Sequence, residues 1–138
     1  MNICILVADS GRARIFESDR SFRALTERED FIHEESRLKN LDLVDDAAGK
    51  SVDMRGSLDP ATQTKVHEEA RFAKYLVKHL EDLHTQDPFD GLVVVAAPKF
   101  LGMLRSNFNK LLDELLVRTI DKDLTQFNIR DIADHLKS

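Results

Sequence analysis

Apolar residues fall into distinct patterns along the chain, and each pattern predicts a different element. The run ICILVA, Ile3 to Ala8, is continuous and rich in β-branched residues, which predicts a strand covered on both faces and so central in its sheet. Ser10-Gly11 is a short turn signal, because glycine reaches positive φ at little steric cost, and Arg12 to Glu17 then sets Ala13, Ile15 and Phe16 among charges. The two segments read as a hairpin. Ala24 to Glu34, with Leu25, Phe31 and Ile32 among charged residues, predicts a third antiparallel strand, longer and more exposed.

A helical period appears between Thr64 and His84, where Val66, Ala70, Ala73, Leu76, Val77, Leu80 and Leu83 form one apolar stripe. Phe72 and Tyr75 widen that stripe as core aromatics, and Glu68, Glu69, Lys74, Lys78, Glu81 and Asp82 are expected on the other faces. Pro88 and Gly91 end the helix. LVVVAA, Leu92 to Ala97, predicts a second buried strand, parallel to its partner because a long helical crossover leads into it. Pro98 suits the first turn of a following helix. Ser106 to Asn109 reads as a break with a new cap, ahead of a short helix marked by Leu111, Leu112, Leu115 and Leu116. Leu116 to Asp121 predicts a last strand, and Asn128 caps a closing helix through Leu136, with Asp131 favouring its first turn.

Between the third strand and the long helix the patterns fade. Leu38, Leu41 and Leu43 give a weak helical signal, and Asp45 to Gln63 has no periodicity and carries Gly49, Gly56 and Pro60. A loop of that length inside a small domain is functional or disordered, which makes it the chief site candidate on sequence grounds. The order of three antiparallel strands, helix, strand, helices, strand, helix is that of the ribonuclease-H-like class of α/β folds. It predicts one domain over residues 1–138, built on a mixed five-stranded sheet with helices on both faces.

Composition narrows the function. The 138 residues are 42% hydrophobic and 33% charged, as in a soluble globular domain, and the net charge of −5 denies the chain a global basic field for nucleic acid. Any such contact must come from a local patch, of which Arg12, Arg14, Arg20 and Arg23, interrupted by Glu17 and Asp19, are one candidate. Cys4 is the single cysteine and lies in an apolar run, so no disulfide forms within the chain and the thiol is expected to pack as a small hydrophobe. No apolar run reaches the length of a signal sequence or a membrane span, so the chain reads as cytosolic.

The element order invites comparison with two-metal nucleases, which need carboxylates converging at the ends of neighbouring strands. Asp9, Asp121 and Asp123 occupy such ends, with Glu68 or Glu69 on the long helix, but Lys99 follows the fourth strand where a further carboxylate would be needed. A metal-dependent hydrolase using Asp9, Asp121 and Asp123 therefore stays an alternative only. No histidine pair at i, i+4 and no second cysteine completes a zinc set, so no metal or other cofactor is expected. No Gly-x-Ser-x-Gly elbow surrounds Ser10, Ser51 or Ser57. AGKS, Ala48 to Ser51, lacks the earlier glycine of a phosphate-binding loop, Val44 standing in its place.

Taken together, ILVADSGRARIFE (Ile5 to Glu17), HEEARFAKYL (His67 to Leu76), LVVVAAPKFLGMLR (Leu92 to Arg105) and IDKDLTQF (Ile120 to Phe127) resemble the bacterial host-attachment protein family over nearly the whole chain. That family in turn resembles the middle domain of the archaeal and eukaryotic class 1 peptide release factors and of Pelota, which implies the same ribonuclease-H-like sheet. In the release factors a Gly-Gly-Gln motif on the loop before the long helix helps water cleave the peptidyl-tRNA ester. Here that loop has a lone glycine, Gly56, and Gln63 follows no glycine, so hydrolysis does not carry over. The resemblance implies a non-enzymatic domain associating with ribosome, tRNA or other RNA. Lys50, Arg55, Gly56 and Lys65 are the expected binding residues, the glycine by close backbone approach and the basic side chains by phosphate contact, with Arg12 and Arg14 in support. The family's name implies a different partner class, a protein-binding adaptor role in attachment to host cells.

Overall fold

The structure, a computed structural model, describes residues 2–33 and 60–138. Strands β1 (Ile3–Asp9), β2 (Arg12–Ser18) and β3 (Thr26–Ile32) are followed by helix α1 (Pro60–Gln86) and strand β4 (Gly91–Val95). Helices α2 (Pro98–Ser106) and α3 (Lys110–Leu115), strand β5 (Leu116–Ile120) and helix α4 (Ile129–Lys137) complete the chain. The five strands form one mixed sheet in the order β3-β2-β1-β4-β5. The predicted ribonuclease-H-like arrangement is therefore the observed one, and the continuous apolar run of β1 is central because it pairs antiparallel with β2 and parallel with β4.

Each strand sends alternate residues to opposite faces, so the sheet builds two cores. Cys4, Leu6, Ala8, Ala13, Ile15, Leu92 and Val94 pack under Phe72, Ala73, Leu76, Val77 and Leu80 of α1, with Phe100 and Leu104 of α2 and Leu112 of α3. On the other face Ile3, Ile5, Val7, Phe16, Val93 and Val95 pack with Leu124 and with Ile132 and Leu136 of α4. Gly91 starts β4 opposite Ile3, and a Cβ added there would sit 2.8 Å from the Ile3 Cδ1 atom. A side chain there would have to displace the end of the buried Ile3 side chain.

Local signals act as predicted at most boundaries. Pro98 lies in the first turn of α2. Asn109 and Asn128 cap α3 and α4, their side-chain oxygens accepting from the Leu112 and Asp131 amides at 2.9 and 2.8 Å. Two boundaries differ. The long helix starts at Pro60, four residues before the predicted Thr64, proline being suited to a helix's first position. The third strand starts at Thr26 and has seven residues, no more than β1 or β2, because the chain first turns at Asp19 to Phe22 and buries part of Leu25 against the α4-side core. Phe22 holds a left-handed φ of 55° in that turn. No helix among the described residues is long and apolar enough to cross a membrane.

The face of α1 is the main correction. Val66, Ala70 and Tyr75, expected on the apolar stripe, are exposed, whereas Glu68 and Glu69, expected outside, are 5% and 7% exposed. Near its start the helix turns two carboxylates inward, where specific polar partners hold them.

Candidate functional site

The hairpin corner is fixed first. The Gly11 amide donates to Asp9 Oδ1 at 2.8 Å, closing the turn between β1 and β2. Arg12 donates from Nε and Nη2 to the two Asp30 oxygens at 3.0 and 2.8 Å, and Arg14 makes the same fork to Glu27 at 2.9 and 2.9 Å. The remaining terminal nitrogens reach across to the segment after β5. Arg12 Nη1 donates to the Thr125 carbonyl at 3.2 Å, and Arg14 Nη1 donates to the carbonyls of Thr125 and Phe127 at 3.1 and 2.6 Å. Arg14 is 7% exposed and its guanidinium also lies 5.0 Å from the Phe16 ring centre. These arginines tie β1, β2, β3 and the last loop into one unit, and a phosphate contact by Arg14 would have to break four internal hydrogen bonds.

Thr125 is the hub of the same unit. Its hydroxyl oxygen lies 2.6 Å from Asp123 Oδ1 and 3.1 Å from Asp9 Oδ2, so the hydroxyl can donate to either, and its amide donates to Asp123 Oδ1 at 3.0 Å. The aspartates of the hydrolase alternative thus divide: Asp9 and Asp123 are brought together on Thr125, while Asp121 is exposed to solvent. Among the described residues no three His, Cys, Asp or Glu side chains are grouped as a metal site.

A second polar cluster sits at the same end of the sheet, beneath the start of α1. Glu68 Oε1 accepts from Arg71 Nη1 at 3.2 Å, and its Oε2 lies 3.5 Å from His33 Nε2. Glu69 Oε2 lies 3.7 Å from Lys99 Nζ. Lys99 therefore stands where a nuclease would need a carboxylate and faces a helix carboxylate instead. The His33 ring stacks on Phe72 at 4.6 Å with 15° between planes, and its amide donates to the Gly11 carbonyl at 2.8 Å, fastening the end of β3 to the hairpin turn.

The outward side of α1 carries a feature the sequence reading did not single out. Arg71, Lys74 and Lys78 recur at i, i+3 and i+7, so they form one exposed cationic line on a chain of net charge −5, with Arg71 beside Glu68 and Lys78 Nζ 3.4 Å from Asp82. Tyr75 lies beside that line and is 53% exposed. Its ring is nearly parallel to those of Phe72 and His79, at 12° and 11°, and edge-on to Phe31 at 6.0 Å. His79 is in turn held by Glu29 at 2.8 Å. A groove of about 590 Å³ runs here between β3 and α1, lined by Phe31, Ile32, His33, Arg71, Phe72 and Tyr75, with Glu29 at its margin. An exposed, braced aromatic ring among cations is the arrangement that stacks a base and contacts phosphate.

The expected binding residues separate in space. Lys65 lies half-buried near the start of α1, on the same helix as the cationic line. Arg12 and Arg14 begin β2, whereas Arg20 and Arg23 follow its far end, so the four arginines of the candidate patch do not make one surface. Lys50, Arg55 and Gly56 lie outside the described residues, as does the weak helical stretch around Leu38 to Leu43. The signal that was missed is the cationic spacing, which is legible in the sequence once the helix phase is known.

Comparison with known proteins comes to rest on one family. The model of the family described as "Protein required for attachment to host cells" matches residues 4–136. The chain is also similar to an uncharacterized protein, RP470, of Rickettsia prowazekii (strain Madrid E), with 36% identity over 77 residues. That match covers 54% of this chain and 51% of the relative, so it spans about half of each.

Proposed function

We propose that this chain, which belongs to the family of proteins required for attachment to host cells, is a non-enzymatic interaction domain that holds single-stranded RNA on the outward side of α1. The observation that carries the reading is Tyr75: its ring is exposed, braced by Phe31, Phe72 and His79, and flanked along the helix by Arg71, Lys74 and Lys78. A base stacked on such a ring gains about 1–3 kcal/mol, and the cations contribute by releasing counterions from phosphate. With a net charge of −5 the attraction is local, so binding is confined to this line and falls with salt.

The resemblance to release-factor middle domains and Pelota supports a cytoplasmic setting with ribosome, tRNA or another RNA as partner. The lone Gly56 and the Gln63 without a preceding glycine argue against ester hydrolysis by the release-factor route. The engagement of Asp9 and Asp123 with Thr125 argues against their service as metal ligands. An RNA-binding role inside the cell would make any effect on attachment indirect.

The test is fluorescence anisotropy of a labelled oligouridine against the intact chain, Tyr75→Ala, and Arg71→Glu/Lys74→Glu, at several salt concentrations. Salt-sensitive binding is expected, weakened about tenfold by the loss of the ring, with a shallower salt slope in the charge-reversed variant. Absence of binding at low salt, or affinity unchanged in both variants, would sink the reading and leave the protein-binding adaptor role suggested by the family's description.

A further inference from the structure

At the opposite end of α1 from Lys65 the two layers of the fold part around a cavity of about 240 Å³. The space opens to solvent on one side, and its size suits a small ring, an apolar cavity of roughly 150 Å³ already taking up benzene. The walls here are Cys4 and Ile15 from the sheet, Leu83 from α1 and Phe89 from the connection to β4. Phe89 is buried and its ring is set edge-on against His84 at 4.9 Å, so this wall is packed from behind. Burial pushes the Cys4 thiol up to about 12, so the group stays neutral and polarisable at the cavity floor.

The mouth has the opposite character. Among the described residues, Glu17, Glu29 and Asp87 stand around it with one cation, Arg28. Arg28 is bound to Glu17, the Nε donating at 2.7 Å, and Glu29 is bound to His79 at 2.8 Å. Asp87 has no ion-pair partner among the described residues. An apolar space closed by a surplus of negative charge is complementary to one kind of small molecule.

We propose that this cavity is a binding site for a small organic amine, its apolar ring or chain lying between Cys4, Ile15, Leu83 and Phe89 and its ammonium group facing Asp87. The volume admits one ring with a short chain and falls below the roughly 300 Å³ at which drug-sized sites begin. A carboxylate ligand of the same shape meets like charge at the mouth. The site lies apart from the cationic line of α1, the two sharing Glu29, which stands at the mouth of this cavity and at the margin of the Tyr75 groove.

The experiment is an NMR titration of amide signals with benzylamine, benzyl alcohol and phenylacetate, on the intact chain and on Asp87→Asn and Leu83→Trp. Benzylamine is expected to give saturable shifts at Cys4, Ile15, Leu83 and Phe89, with phenylacetate giving none. Asp87→Asn, a surface change that leaves the core intact, weakens benzylamine about tenfold and narrows its advantage over benzyl alcohol. Leu83→Trp fills the space and abolishes the shifts. The proposal is overturned if benzylamine gives no saturable shifts, if phenylacetate binds as well, or if Asp87→Asn leaves the affinity unchanged.

Discussion

Lys99 Nζ lies 3.7 Å from Glu69 Oε2, so a residue in the first turn of α2 faces a carboxylate buried under the start of α1. A carboxylate left in an apolar setting without its cation is costly, and the exposed position of the lysine head tempers that cost through solvent. Lys99→Ala is expected to lower stability by about 1 kcal/mol, measured by urea unfolding, and Glu69→Gln in that background to recover most of it. A loss in Lys99→Ala that Glu69→Gln does not recover would show that the pair is not the reason for the burial.

Arg14 is a different case, being enclosed and bound to three groups. Arg14→Lys retains the charge but cannot make the fork to Glu27 while also reaching the Thr125 and Phe127 carbonyls. A loss of about 2–4 kcal/mol is expected from the orphaned buried partners. Denaturant melts of the variant should show it, and a change below about 0.5 kcal/mol would mean that water replaces the guanidinium.

The Arg12 fork holds the Asp30 carboxyl below its ordinary value, chiefly through the side-chain hydrogen bond. A lowered carboxyl stabilises the fold above its unfolded value of about 3.9 and loses that contribution as the pH falls from there through the folded value. Asp30→Asn should therefore be less stable than the intact chain at neutral pH, with the gap closing below about pH 4. Thermal melts across that range would reveal it; a gap that stays constant down to pH 3 would contradict the linkage.

The Cys4 thiol, raised to about 12 by burial, has the opposite sign. Its contribution is present below the unfolded thiol value of about 8.5 and is lost as the pH rises toward the folded value. Cys4→Ala is expected to show a shallower alkaline loss of stability than the intact chain. Thiol reagents at pH 8 should label Cys4 only as fast as the domain opens, and rapid labelling under native conditions would refute that.

Gly91→Ala introduces a methyl 2.8 Å from Ile3 Cδ1, so the end of the buried Ile3 side chain must shift to admit it. A destabilisation of about 1–3 kcal/mol is expected, reduced when Ile3→Val removes the opposing methyl. Additive costs in the double variant would show the two sites to be uncoupled.

The sheet was legible because its signals are local. An unbroken apolar run marks β1 and β4, Asn109 and Asn128 mark helix starts, and the chain order leaves few topologies open. The face of α1 was not legible, since a stripe drawn from apolar residues alone assigned Glu68 and Glu69 to solvent. Their burial depends on His33, Arg71 and Lys99, of which two come from outside the helix. Tyr75 lies off the stripe of Phe72, Ala73, Leu76, Val77 and Leu80 that faces the sheet, so its ring is exposed although an aromatic residue suggests core. The roles of Arg12 and Arg14 could not be read from the hairpin either, because their acceptors in the last loop lie 111 to 113 residues along the chain.

That separation also bears on how the protein is made. Within this domain β1, β2 and β3 are synthesised before the other elements and can pair with one another early, yet Arg14 remains without the Thr125 and Phe127 carbonyls until 111 to 113 further residues have followed it. Closing so long a span is slow compared with forming a hairpin. The first three strands therefore wait for the segment after β5 to be locked together, and a chain cut short before residue 125 leaves Arg14 with its Glu27 fork but without the two carbonyls that its Nη1 binds.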